Sequence, residues 1–150
     1  MKRVLILAVP CLAAVMLFTS SFATAQTAVK SKVTVKSTPK NDLKRPHIFK
    51  VRGTVAPTAK VVKCAAGVTN PAYCSPAKTA DVCTGKVRIT IKRGLTTIAR
   101  STVKLKKDCA YSAKITIRKK MKHGKLTVTS RYLGNKYIGA RNSSALKLKV

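Results

Sequence analysis

The chain has 150 residues, with 32 Lys and Arg against three acidic residues, no tryptophan and a formal net charge of +29. There is no glutamate, and Asp42, Asp81 and Asp108 fall in separate segments, so paired carboxylates for acid–base catalysis are excluded. The length suffices for one modest core, and the charge points to polyanions as partners without specifying a fold.

Residues 1–25 read as a cleavable secretory signal peptide. Lys2 and Arg3 form the basic start, residues 4–18 the apolar middle, and Ala23-Thr24-Ala25 the small-residue site, with the cut expected before Gln26. The apolar run is 15 residues long, short of the roughly 20 that span a bilayer, so no transmembrane segment is expected after cleavage. Cys11 lies in the middle of that run, whereas a lipidated cysteine would end it. Cleavage leaves thirty basic residues against three acidic ones, a net charge of +27.

Residues 26–46 are polar and basic and read as a flexible tail or linker, with Val33 and Val35 giving a hint of an edge strand. From His47 onward, apolar and polar residues alternate with period two, the pattern of half-buried strands. Residues 47–55 form the first strand, ended by Ala56-Pro57, and residues 60–64 a short second one. Residues 65–82, with Gly67, Asn70-Pro71 and Ser75-Pro76, read as a long loop. Cys83, Gly85, Val87, Ile89 and Ile91 then share one face of a strand, with Arg88, Thr90 and Lys92 on the other. Arg93-Gly94 predicts a tight turn. In the returning strand, residues 95–105, Leu95 and Ile98 fall on opposite faces, which predicts a bulge or kink. Lys106-Lys107-Asp108 turns the chain again, and Cys109, Tyr111, Ala113, Ile115 and Ile117 share one face. After a basic turn at 119–124, Leu126, Val128, Ser130 and Tyr132 alternate with Thr127, Thr129 and Arg131. Residues 133–144 read as a loop before a closing strand of Leu146, Leu148 and Val150, with Lys147 and Lys149 outward. About seven short strands without helical periodicity predict an all-β, antiparallel sandwich.

Four cysteines remain beyond the leader, and an even count in an exported chain implies two disulfides. Cys83 and Cys109 each point into the core near the start of a strand, and the intervening strand brings those starts to one end. This pairs Cys83 with Cys109 and leaves Cys64 with Cys74 as a loop clasp. On the chain-entropy model the links contribute ~3.5 and ~2.5 kcal/mol respectively. No metal or other cofactor is expected: the cysteine spacings lack a CxxC pair, and His47 and His123 stand far from them. Both histidines read as solvated residues near strand edges. With no free nucleophilic thiol and no phosphate-binding glycine loop, an enzyme is not expected.

The functional signal is charge. Arg88, Lys92, Lys114, Arg118, Lys125 and Arg131 fall on outward strand positions, and Lys119, Lys120 and Lys122 cluster in one turn. These nine residues are the expected polyanion-binding set. The expected partners are acidic cell-surface polymers or anionic lipids. Nucleic acid is not expected, because Tyr73, Tyr132 and Tyr137 are too few for a stacking platform. The domain is expected to act as a monomer.

The stretch Gly124-Lys125-Leu126-Thr127-Val128-Thr129-Ser130-Arg131-Tyr132-Leu133-Gly134-Asn135, followed by Tyr137, Ser143-Ser144 and the closing strand, resembles bacterial immunoglobulin-like domains of exported and cell-surface proteins. Cys83-Thr84-Gly85-Lys86-Val87, Lys92-Arg93-Gly94 and Asp108-Cys109-Ala110-Tyr111 look like the disulfide-bearing version in actinobacterial secreted proteins. The resemblance covers about residues 47–150 and departs from antibody domains in lacking a core tryptophan. It implies an immunoglobulin-like β-sandwich, secreted or held at the cell envelope, and carries over no binding residues. The expected role is a non-enzymatic envelope or extracellular-matrix module bound to acidic polymer or glycan. The alternatives are a cationic effector acting on anionic membranes and a structural protein-interaction module.

Overall fold

Alternation of apolar and basic side chains organises the structure. It is a computed structural model that describes residues 28–65, 67, 68, 70–118 and 122–150. The expected signal peptide, residues 1–25, and Lys119 and Lys120 lie outside the described residues. The strands in chain order are β1 (Ser31–Val33), β2 (Lys36–Thr38), β3 (His47–Pro57), β4 (Val62–Lys63), β5 (Ser75–Pro76), β6 (Lys86–Arg93), β7 (Thr96–Lys104), β8 (Ala110–Ile117), β9 (Lys125–Tyr132), β10 (Arg141–Asn142) and β11 (Leu146–Lys149). A 3-10 turn at Pro71–Tyr73 and a one-turn helix, α1 (Thr79–Val82), are the described helical pieces. The fold is all-β, as expected.

All strand pairs are antiparallel and form three sheets. In the first, β8 pairs with one edge of β3, while β1 and β2 follow one another along its other edge. In the second the order is β9-β6-β7, and β10 and β11 share the free edge of β9. A small third sheet joins β4 and β5. Inward residues of both large sheets enter one core cluster: Phe49, Val51, Val55, Tyr111, Ile115 and Ile117 from the first, and Val87, Ile89, Ile91, Leu126, Val128 and Leu148 from the second. Burial of each such side chain contributes about 1.5–3 kcal/mol before the entropy of ordering is set against it.

Several expectations need correction. Residues 26–46 are not simply a flexible tail. Ser37 pairs with Val51 and Val33 with Val55, and Ser31, Val33 and Ser37 are buried. Each of these strands is three residues long, too short for alternation to register, and each takes its backbone partners from β3. The loop expected at 65–82 contains β5 and α1, and the one at 133–144 contains β10. His47 is 2% exposed rather than solvated, because it lies in phase with Phe49 and Val51; His123 is exposed. The turn is at Gly94-Leu95, one residue later than expected, and Gly94 supplies its positive φ of 57°. The predicted bulge is present: Ile91 pairs with Ala99 and Lys92 with Thr97, leaving Ile98 as the extra residue.

Both expected disulfides are formed. Cys64–Cys74 has a Cα separation of 4.4 Å and Cys83–Cys109 one of 4.6 Å. Asn135, after the Gly134 turn, ties the chain into that end of the fold. Its Nδ2 donates to Val82 O (2.8 Å) and Thr84 Oγ1 (2.9 Å), and its Oδ1 accepts from the amides of Tyr137 (2.9 Å) and Ile138 (2.7 Å).

Tyr132, fully buried, donates its hydroxyl to Thr84 O (2.8 Å). Burial pushes its pKa up to about 12 from 10.0. Between those values the unfolded chain has released the phenolic proton and the folded chain retains it. The Tyr132 contribution is therefore complete below pH 10 and lost as pH rises toward 12, up to about 2.5 kcal/mol. Denaturant titrations across this window should show stability falling more steeply in the wild type than in Tyr132→Phe; equal slopes would refute the assignment.

Candidate functional site

Outward strand positions carry the cations, and the register shows which of them meet. On the outer face of the second sheet, Arg88 stands directly opposite Arg131, Lys86 opposite Lys104, and Lys125 opposite Lys149. Thr90 separates Arg100 from Thr129, and Lys92 faces Thr127. The structure thus brings together Arg88, Lys92, Lys125 and Arg131 of the expected set. Lys86, Arg100, Lys104 and Lys149 join them from outside that set.

Lys114 and Arg118 are not part of this face. Lys114 lies on the outer face of the first sheet, opposite Lys50, and Arg118 is exposed just beyond β8. In the same sheet Arg52 stands opposite Lys36. Lys122 is exposed in the turn before β9, where its carbonyl accepts Arg93 Nη2 at 2.8 Å. The described members of the expected set are therefore divided between two opposed faces and a turn, while Lys119 and Lys120 lie outside the described residues.

The first sheet also has an open groove of about 560 Å³. Lys36, Lys50, Arg52 and Lys106 surround it, Thr54 and Ser112 add hydroxyls, and Gly53, Ala110 and Tyr111 line it. Of these cations none belongs to the expected set. Lys36 comes from the segment read as a tail and Lys106 from the turn before β8. They meet only because β2 and β8 pair with opposite edges of β3.

Like charges directly across an antiparallel pair are destabilising. Two unit charges about 4 Å apart repel by about 1 kcal/mol in water, and by more near a low-dielectric surface. No carboxylate occupies an outward strand position to offset this: Asp42 is in the β2–β3 loop, Asp81 in α1 and Asp108 in the β7–β8 turn. Asp42 accepts from the amides of Lys44 (3.2 Å) and Ile48 (2.7 Å), and Asp108 from that of Ala110 (3.1 Å). Both serve local backbone geometry.

All four cysteines among the described residues are in disulfides, which is compatible with an extracytoplasmic location. Among the described residues no helix is long and apolar enough to cross a membrane. Comparison with protein-family models, curated proteins and solved structures gives no match.

Proposed function

We propose that this chain is an exported, non-enzymatic, immunoglobulin-like module that is held by acidic cell-surface polymer or glycan. The strand order supports the fold reading. Taking β1 with β2 and β10 with β11 as interrupted edge strands leaves seven strands in the two large sheets, with β4 and β5 apart in the third, ordered (β1/β2)-β3-β8 and (β10/β11)-β9-β6-β7. This corresponds to the A-B-E and G-F-C-C′ arrangement of immunoglobulin-like sandwiches. The amino-terminal pattern and the two disulfides support export.

The observation that carries the functional reading is the set of directly opposed cation pairs without an acidic residue among them. A polyanion laid along either face lowers that repulsion and releases its own counterions. The test is binding of the purified domain to teichoic acid, lipopolysaccharide and peptidoglycan as salt is raised. Strong binding at low ionic strength should weaken by on the order of a hundredfold or more toward high salt. Arg88→Gln/Arg131→Gln and Lys50→Gln/Arg52→Gln identify the face that contributes more. Absence of binding to every acidic polymer at low salt refutes the reading.

A further inference from the structure

We propose that one end of the domain docks on an anionic lipid surface, with Leu95 and Leu43 entering the headgroup layer inside a collar of lysines. The site lies at one end of the two large sheets and borders the second sheet's cationic face through Lys92, Lys125 and Lys149; the two leucines belong to it alone.

Four segments meet at this end. Asn41 bridges to Lys149, and the Lys149 carbonyl accepts from the Asp42 amide at 3.1 Å. Gly124 and Val150 exchange both backbone hydrogen bonds, at 2.8 and 3.0 Å. Arg93 Nη2 reaches the carbonyls of Lys122 (2.8 Å) and His123 (3.0 Å). The β2–β3 loop, the end of β11, the turn before β9 and the β6–β7 hairpin tip therefore form one continuous surface.

Leu95, at the hairpin tip, is 98% exposed, and Leu43, in the β2–β3 loop, is 66% exposed. Ile48, whose amide bonds to Asp42, is 36% exposed near the same end. These are three of the five large apolar side chains that stand exposed among the described residues. An exposed leucine alone needs no explanation, but two at loop tips on one end of a strongly basic protein form a pattern. Lys40, Lys44, Lys92, Lys122, Lys125 and Lys149 are all exposed around them. The one carboxylate at this end, Asp42, is held to the backbone amides of Lys44 in its own loop and Ile48 in β3.

A hydrophilic acidic polymer offers phosphate or carboxylate to the lysines and nothing to the leucines. A bilayer interface offers both: anionic headgroups at the level of the collar and an apolar boundary a few ångströms beneath. The chemistry of this end therefore favours an anionic lipid surface.

The chain has no tryptophan, so one placed at the tip reports on its own surroundings. Leu95→Trp and, at the opposite end, Tyr73→Trp are mixed with vesicles of phosphatidylcholine alone or with phosphatidylglycerol. With the anionic vesicles Leu95→Trp emission should shift to the blue and be shielded from a soluble quencher, while Tyr73→Trp stays unchanged. In sedimentation with the same vesicles, Leu43→Ser and Leu95→Ser should each weaken binding by roughly tenfold, the factor supplied by burying one such side chain. Both side chains are exposed, so these variants keep the wild-type melting midpoint and their binding to acidic polymer. If the variants sediment like the wild type, or Leu95→Trp stays unshifted while the protein is bound, lysines alone make the contact and the leucine docking is overturned. If the protein binds acidic polymer but not anionic vesicles, the docking fails and the polymer reading stands. If it binds neither, both fail.

Discussion

Removing the Cys83–Cys109 bridge should cost the domain about 3.5 kcal/mol, more than removing Cys64–Cys74, for which about 2.5 kcal/mol is expected. That difference is loop size: the bridges span 26 and 10 residues. Placement acts in the same direction. Cys83 precedes β6 of the second sheet and Cys109 precedes β8 of the first, so this bridge joins the two large sheets. Both of its residues are buried, at 3% and 9% exposure. Cys109 also holds a left-handed backbone, φ 60°, which costs a non-glycine residue roughly 1–2 kcal/mol. Its amide donates to Lys106 O and its carbonyl accepts from Val55 N, both at 3.0 Å, which keeps that conformation in place. Cys64–Cys74, by contrast, clasps a segment whose strands β4 and β5 pair only with each other. Thermal melts of Cys83→Ala/Cys109→Ala should show a midpoint lowered by roughly 10 °C or more. Cys64→Ala/Cys74→Ala should lie between that variant and the wild type. An unchanged midpoint in the first variant, or the reverse ranking, would contradict this account.

Gly53→Ala should destabilise the domain by about 2–3 kcal/mol. This sign is the reverse of the usual one, since alanine in a strand stiffens the unfolded chain and tends to stabilise. Gly53 pairs with Tyr111, whose ring lies over it and whose hydroxyl donates to Thr34 O across β3. A Cβ at Gly53 would come within 2.6 Å of the Tyr111 hydroxyl and 2.8 Å of its ring, and would overlap the Thr34 carbonyl. Neither neighbour has room to yield. Tyr111 is 1% exposed, and the Thr34 amide is bonded to Thr54 O at 2.9 Å. Relief requires β1 and β2 to lift from β3 or Tyr111 to leave the core. Gly94→Ala is the control: its Cβ meets open space, so only the positive φ opposes it, at about 1 kcal/mol. Urea titrations should rank wild type above Gly94→Ala above Gly53→Ala. A Gly53→Ala protein as stable as the wild type would show that the Tyr111 contact is not a constraint.

The two expected results concern the same region. The Tyr111–Thr34 bond closes the gap between β1 and β2, and Gly53 and Tyr111 line the cationic groove. Loosening that corner should therefore lower polyanion affinity through the positions of Lys36 and Arg52 as well as lowering stability.

What the sequence determined by itself was local. Period-two alternation in β3, β6, β8 and β9 decides which side chains enter the core, because successive strand residues point to opposite faces whatever the strand pairs with. The same phase argument placed Cys83 and Cys109 inward at one end and so identified their bridge, and the break in alternation at Ile98 located the bulge. The tertiary structure decided what depends on pairing. β1, β2 and β10 are two or three residues long and are strands only because β3 and β9 present free edges to them. His47 shares the inward phase of Phe49 and Val51, but only the pairing of β3 with β8, which sets this first strand residue opposite Ile117, shows that the core extends far enough to bury it. The site shows the same division. Each outward cation could be read from its own strand, but whether Arg88 faces Arg131 or Lys114 faces Lys50 is a matter of register between distant segments. The groove took Lys36 and Lys106 from stretches with no strand pattern, and the basic end took Leu43 and Leu95 from two separate loops. Composition supplied the charge, and long-range antiparallel pairing decided where it is concentrated.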